Sequence, residues 1–244
     1  MKTAYEQTNA WAIETHGLTK SYGDCCALRG VDLKVKWGEF LAIFGPNGAG
    51  KTTILKVLAT LTKPSSGDAY VGGFDMSRES NMVRRQIGVV THQTLLYDDL
   101  SAYENLKFYG KMYDVPHLAE RIPELLAKVG LEDRPNDPVR TLSRGMQQRV
   151  AIARALIHDP SILLLDEPGT GLDQQSSDML VNILNSHSNK KRTVVMTTHS
   201  LEQGLSLSNR VVILNKGKIA YEESKKLDIS SFREVYYSHT GVRY

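Results

Sequence analysis

Along the chain the spacing of hydrophobic and polar positions changes period several times, and each change predicts an element. Residues 31–37, "VDLKVKW", alternate apolar and polar side chains without a break, which predicts a strand with one wet face in an antiparallel sheet. Residues 40–44 ("FLAIF") and 161–166 ("SILLLD") are short continuous apolar runs, as expected of strands covered on both faces, and "TVVMTT" (193–198) and "RVVILN" (210–215) read the same way. After Lys51 the apolar residues Ile54, Leu55, Leu58 and Leu61 recur at helical spacing, and Pro64 and Gly67 in "KPSSG" end that pattern. Residues 93–139 are rich in leucine and tyrosine, are broken by Pro116, Pro123, Pro135 and Pro138, and carry no strand pattern, so they read as a helical lobe inserted into the core. "LNKGKIAYE" (214–222) reads as a hairpin, and there is no internal repeat, heptad run or low-complexity tract. The predicted class is α/β, with a mainly parallel core sheet, an antiparallel β subdomain and an inserted α-helical subdomain.

Composition narrows this little. At 244 residues with 41% hydrophobic side chains the chain can bury a full core. Cys25 and Cys26 are adjacent, a spacing that rarely closes a bridge, and no metal-type Cys/His spacing surrounds them, which favours a reducing cytosol. A formal charge of +3 is too small to imply a nucleic-acid partner. The start, "MKTAYEQTNA", lacks a signal-peptide core, and no apolar run approaches the roughly 18 residues that span a bilayer, so membrane work would need a second chain as holder.

Chemistry enters at "GPNGAGKT". A buried strand, then G-x-x-x-x-G-K-[ST], then a helix is the context in which backbone N–H groups can surround a triphosphate, because side chains are absent where the phosphates must approach. The loop Gly45, Pro46, Asn47, Gly48, Ala49, Gly50 would hold that triphosphate together with Lys51, Thr52 and Thr53. Lys51 would contact the β- and γ-phosphates and the Thr52 hydroxyl would ligate Mg²⁺. "SILLLDEP" adds Asp166, suited to holding Mg²⁺ through water, and Glu167, suited to polarising an attacking water. A GTPase reading fails at Lys218, which stands where a guanine-reading carboxylate is needed after "NKG".

"TLSRGMQQRVAIARAL" completes a series: phosphate loop, Gln93, this segment, the acidic strand end, "GLD" and His199. In that order the chain resembles the ATP-binding subunits of ABC transporters over residues 11–222. The resemblance implies a P-loop NTPase core at about 11–92 and 155–222, a helical lobe at about 93–154 and a short C-terminal extension at about 223–244. It implies two subunits facing head to tail, with each ATP between the phosphate loop of one and Ser143 and Gly145 of the other, and an integral membrane permease as further partner. Tyr22 would stack on adenine, Gln93 would touch Mg²⁺ and report to the permease, Asp173 would couple the two sites, and His199 would hold the γ-phosphate and the attacking water. The signature reads Leu142, Ser143, Arg144, Gly145, Met146 and so departs from the common L-S-G-G-Q at Arg144, which is expected to face solvent or a neighbouring acid, the alternative being an approach to phosphate that would lengthen the closed state. Gln147, Gln148 and Arg149 would continue a helix whose other face carries Val150, Ile152 and Ala153.

The implied activity is ATP hydrolysis powering transport, with the protein peripheral on the cytoplasmic face of the membrane. "LSRGMQQR" and "ENLKFYGKMYDVP" are similar to exporter ATPases, including the group serving haem export and cytochrome c maturation. The alternatives are a drug, polysaccharide or lipid exporter subunit, or a soluble ATPase of this type not engaged in transport.

Overall fold

The computed structural model describes residues 10–169, 179–184, 192–224 and 227–242. Two sheets organise it. The first is four-stranded, in the order β2-β1-β4-β5, and is built from β1 (Trp11–Tyr22), β2 (Cys25–Lys36), β4 (Ser66–Val71) and β5 (Phe74–Asp75), all antiparallel. The alternation in "VDLKVKW" buries Val31, Leu33 and Val35, as the pattern predicts. A buried threonine serves the ladder here: the Thr15 hydroxyl donates to the Val31 carbonyl at 2.9 Å and accepts from the Leu33 N–H at 2.9 Å.

The second sheet has six strands, in the order β10-β9-β3-β8-β7-β6. β3 (Phe40–Phe44), β6 (Ile87–Val90), β7 (Ile162–Asp166), β8 (Thr193–Thr197) and β9 (Arg210–Asn215) are parallel, and β10 (Lys218–Glu223) closes the edge as the antiparallel arm of the expected hairpin. The continuous apolar runs are explained by both faces being covered. Leu41 and Ile43 pack with Ile54, Leu55 and Leu58 of α1 (Lys51–Leu58), while Ala42 and Phe44 pack on the opposite face. There they meet Leu201 and Leu205 of α7 (Leu201–Leu207) and Phe232 and Tyr236 of α8 (Ile229–Thr240). Phe44 and Phe232 lie 4.7 Å apart between ring centroids. The C-terminal segment, expected only as a short extension, is therefore a helix whose aromatic residues complete the core.

Of the other helices, α2 (Ser80–Gln86) precedes β6, and α3 (Ala102–Met112), α4 (Leu118–Lys128) and α5 (Arg144–Leu156) follow it, with a further helical stretch, α6, at 179–184. Ser101 and Glu104 form a reciprocal capping box at the start of α3. Two expectations need correction. Leu61 is not part of a helical face: α1 stops at Leu58, Thr60 takes a left-handed φ of 58°, and Leu61 is 50% exposed. Pro123 does not break the chain but lies inside α4, where burial of Ile122, Leu125 and Leu126 outweighs one lost backbone donor.

α5 and the turn after it are tied to β6 through Arg154 and His158. Arg154 donates to the Val89 carbonyl at 2.5 Å beneath the Tyr109 ring. His158 stacks on Tyr113 at 4.0 Å, with Nε2 at 3.1 Å from the Ile87 carbonyl. That carbonyl can only accept, so Nε2 carries a proton, while the buried Nδ1 has no hydrogen-bond partner among the described residues. Burial pushes the His158 pKa down from 6.5 to about 4. Between those values the unfolded chain binds a proton that the fold refuses, so stability falls as pH drops from about 6.5 towards 4, by up to about 3 kcal/mol. We expect the stability gap between the native protein and His158→Gln to narrow over that window, measured by urea unfolding at stepped pH; a gap constant with pH would contradict it.

Candidate active site

The phosphate loop is wedged between both sheets. Gly45 has φ of 152°, and a Cβ there would lie 2.2 Å from the Leu214 carbonyl oxygen at the end of β9. Gly50 has φ of 106°, and its Cβ would meet the Ala27 carbonyl of β2 at 2.6 Å. No other residue allows both the conformation and the approach. The β9–β10 turn clamps the same place: the Gly217 N–H donates to the Ala49 carbonyl at 2.9 Å, and the Arg29 N–H donates to the Gly217 carbonyl at 2.8 Å. Gly50 is the N-cap of α1, so the helix opens at the loop with its N-terminal donors outward.

Lys51, the first residue of α1, turns back into the loop and donates to the Gly45 carbonyl at 2.7 Å and the Pro46 carbonyl at 3.3 Å. Burial pushes its ammonium below the ordinary lysine range, and the Glu167 and Asp166 carboxylates push back. Asp166, at the end of β7, is buried, and one of its oxygens accepts from the Thr52 hydroxyl at 3.1 Å and the Thr197 hydroxyl at 2.6 Å. A hydroxyl and a carboxylate facing each other at the loop's mouth are hard oxygen donors, the set that Mg²⁺ takes alongside phosphate oxygens. Among the described residues no cluster of three or more His, Cys, Asp and Glu could hold a metal.

Glu167 stands just beyond the strand with a left-handed φ of 49°, a conformation that costs a non-glycine residue free energy. Its backbone N–H donates to the Thr197 carbonyl at 3.0 Å and lies 3.2 Å from the Thr197 hydroxyl. Its carboxylate lies 2.8 Å from Nδ1 of His199, which follows β8. Thr197 therefore orients both acids, a role that the sequence pattern did not signal because "TVVMTT" read only as a buried strand.

The remaining residues lie apart from this cluster. Tyr22 ends β1 and is half exposed, with the Lys20 ammonium 4.9 Å from its ring centroid. Gln93 is exposed in the segment after β6, where its carbonyl accepts from the Thr91 hydroxyl at 2.6 Å. Ser143 is the N-cap of α5 and accepts from the Met146 N–H at 3.3 Å; at Gly145 a Cβ would meet nothing within 4 Å. Arg144 is exposed, as one of the two expectations had it, and its Nη2 lies 3.4 Å from each ring nitrogen of His92. Gln148 is buried, whereas Gln147 donates to the Val139 and Leu142 carbonyls. Asp173 lies outside the described residues.

The family pattern described as ABC transporter matches residues 28–170, more than half of the chain. The chain is 40% identical over 198 residues to the ABC transporter ATP-binding protein NatA of Bacillus subtilis, covering 80% of each. It is 35% identical to the linearmycin resistance ATP-binding protein LnrL of the same organism, over 85% of this chain and 67% of that one. It is also 38% identical to a spermidine/putrescine import ATP-binding protein of Nitratidesulfovibrio vulgaris, over 90% of this chain and 62% of the relative. Among solved structures, a dimeric post-hydrolysis ATP-binding cassette bound to ADP and Pi matches with a TM-score of 0.81 and 31% identity, covering 88% of this chain and all of that one.

Replacing Thr197 by the isosteric valine leaves the Asp166 oxygen short of a donor in a buried place. We expect Thr197→Val to cost about 1–3 kcal/mol in stability and to lower ATP turnover, read by thermal unfolding and phosphate release. Native values in both would remove Thr197 from the account.

Proposed function

Because the chain belongs to the ABC transporter family, as an ATP-binding subunit and ATPase, we propose that two copies close head to tail on two Mg·ATP and reopen after hydrolysis. The observation that carries this is a division within one chain. Lys51, Thr52, Asp166, Glu167 and His199 converge at the loop, while Ser143 and Gly145 project from α5 with open space before them. A glycine with nothing near its absent side chain is not demanded by packing inside the chain; it suits close approach by something outside.

In this reading ATP enters with adenine against Tyr22 and its phosphates against the backbone from Gly45 to Thr53. Lys51 lies against the β- and γ-phosphates, where its ammonium offsets charge developing in the transferred group. Thr52 and Asp166 would hold Mg²⁺, with Gln93 reaching it from its segment; the ion supplies charge neutralisation at the β- and γ-oxygens. Glu167, fixed by Thr197 and His199, accepts a proton from the attacking water, and His199 keeps that water and the γ-phosphate aligned. Ser143 and Gly145 of the second copy complete the γ-phosphate's surroundings, and Asp173 couples the two sites.

The helical lobe at 93–154 is the part proposed to move against the core at 11–92 and 155–222 and to engage a membrane permease. Tyr97 is 50% exposed and Phe108 42%, and their rings meet edge to face 5.1 Å apart beside the Gln93 segment. An exposed aromatic pair is a ready anchor for another chain. In this reading the permease is a separate chain and this subunit sits peripherally on its cytoplasmic side; no helix among the described residues is long and apolar enough to cross a membrane. Export is the proposed direction, supported by the "LSRGMQQR" signature and by a relative named for antibiotic resistance. Haem export for cytochrome c maturation has no support among the relatives described, and the polyamine import relative leaves direction to the permease.

General-base action contributes roughly 100- to 10,000-fold in rate, so Glu167→Gln should lose most turnover yet form a stable dimer with ATP, seen by light scattering. Native turnover, or no ATP-dependent dimer, would overturn the scheme. Tyr97→Ser with Phe108→Ser should keep ATP hydrolysis by the isolated subunit and abolish co-purification with its permease; retained co-purification would exclude that surface.

A further inference from the structure

Arg144 is the first helical residue of α5, between the N-cap Ser143 and Gly145. Among the described residues no carboxylate pairs with it; its only polar contact is His92, the residue before Gln93. One guanidinium nitrogen equidistant from both ring nitrogens does not lie along either lone pair, and 3.4 Å is long for a hydrogen bond. Both side chains are exposed. A permanent cation is thus parked weakly against an imidazole, and the contact joins α5 to the segment after β6.

We propose that His92 and Arg144 are a positioning pair: His92 holds Arg144 aside in the open subunit, and on closure Arg144 leaves it to bind the γ-phosphate of the ATP seated in the second copy. The proposal rests on the head-to-tail reading. An anionic triphosphate binds a fork of five donors that cannot lose its proton better than an imidazole does, so the exchange runs towards closure. His92 acts only by competing for Arg144. Its removal must therefore act in the opposite sense to removal of Arg144.

The test uses Glu167→Gln protein and the Mg·ATP concentration that gives half-maximal dimerisation by light scattering. Adding Arg144→Ala should raise that concentration about tenfold, with Arg144→Lys intermediate because charge is kept and the fork is lost. Adding His92→Ala should lower it about threefold, by freeing Arg144. In the Arg144→Ala background His92→Ala should change nothing, an interaction that a merely structural role of either residue would not produce. An unchanged midpoint for Arg144→Ala, or a His92 effect that persists without Arg144, would overturn the pair while leaving the dimer intact. Failure of the Glu167→Gln protein itself to dimerise with ATP would overturn the head-to-tail reading and this inference with it.

Discussion

Backbone meeting backbone at the phosphate loop is the constraint on which the rest of the structure depends. Gly45 lies under the Leu214 carbonyl of the parallel sheet and Gly50 against the Ala27 carbonyl of the antiparallel one. The two sheets are thereby held at a fixed spacing by a segment with no side chains at the points of contact. The arrangement sets the start of α1, and with it the direction of Lys51 and Thr52. It also sets Ala27 and Leu28 of β2 against the loop. A methyl group at either glycine would have to displace main chain rather than a mobile side chain, so the loop's shape is a property of the whole core.

From that wedge the proposed catalytic chemistry follows by strand register. β7 and β8 are parallel neighbours with Asp166 opposite Thr197, so one threonine reaches both acids at once. The acid pair differs in environment. Asp166 is buried and bound by two hydroxyls, which suits a fixed ligand-holder; Glu167 stands in a strained conformation at the edge, against His199, which suits a group that handles a proton.

Much of this was legible in the chain because buried parallel strands and phosphate loops leave strong local marks. "FLAIF", "SILLLD", "TVVMTT" and "RVVILN" are all interior strands, and the alternation in residues 31–37 reports the wet face of β2 correctly. What was not legible depended on tertiary partners. Leu61 keeps the helical spacing but falls after a left-handed residue, which no periodicity reveals. Pro123 is tolerated because its helix buries three apolar residues elsewhere on its face. "SSFREVYYSHT" looks like a tail until Phe232 is seen against Phe44. The Thr197 hydroxyl and the contact of Arg144 with His92 join residues 31 and 52 positions apart, and only the folded chain brings them together.

The account holds that neither half of the site works by itself: the loop of one chain needs α5 of another. Steady-state phosphate release per chain, followed from nanomolar to micromolar protein at saturating Mg·ATP, tests this most directly. Turnover per chain should climb with concentration to a plateau, and Ser143→Arg should hold it near zero throughout. Turnover independent of concentration and indifferent to that substitution would mean that single chains cleave ATP unaided, and the paired site would have to be abandoned.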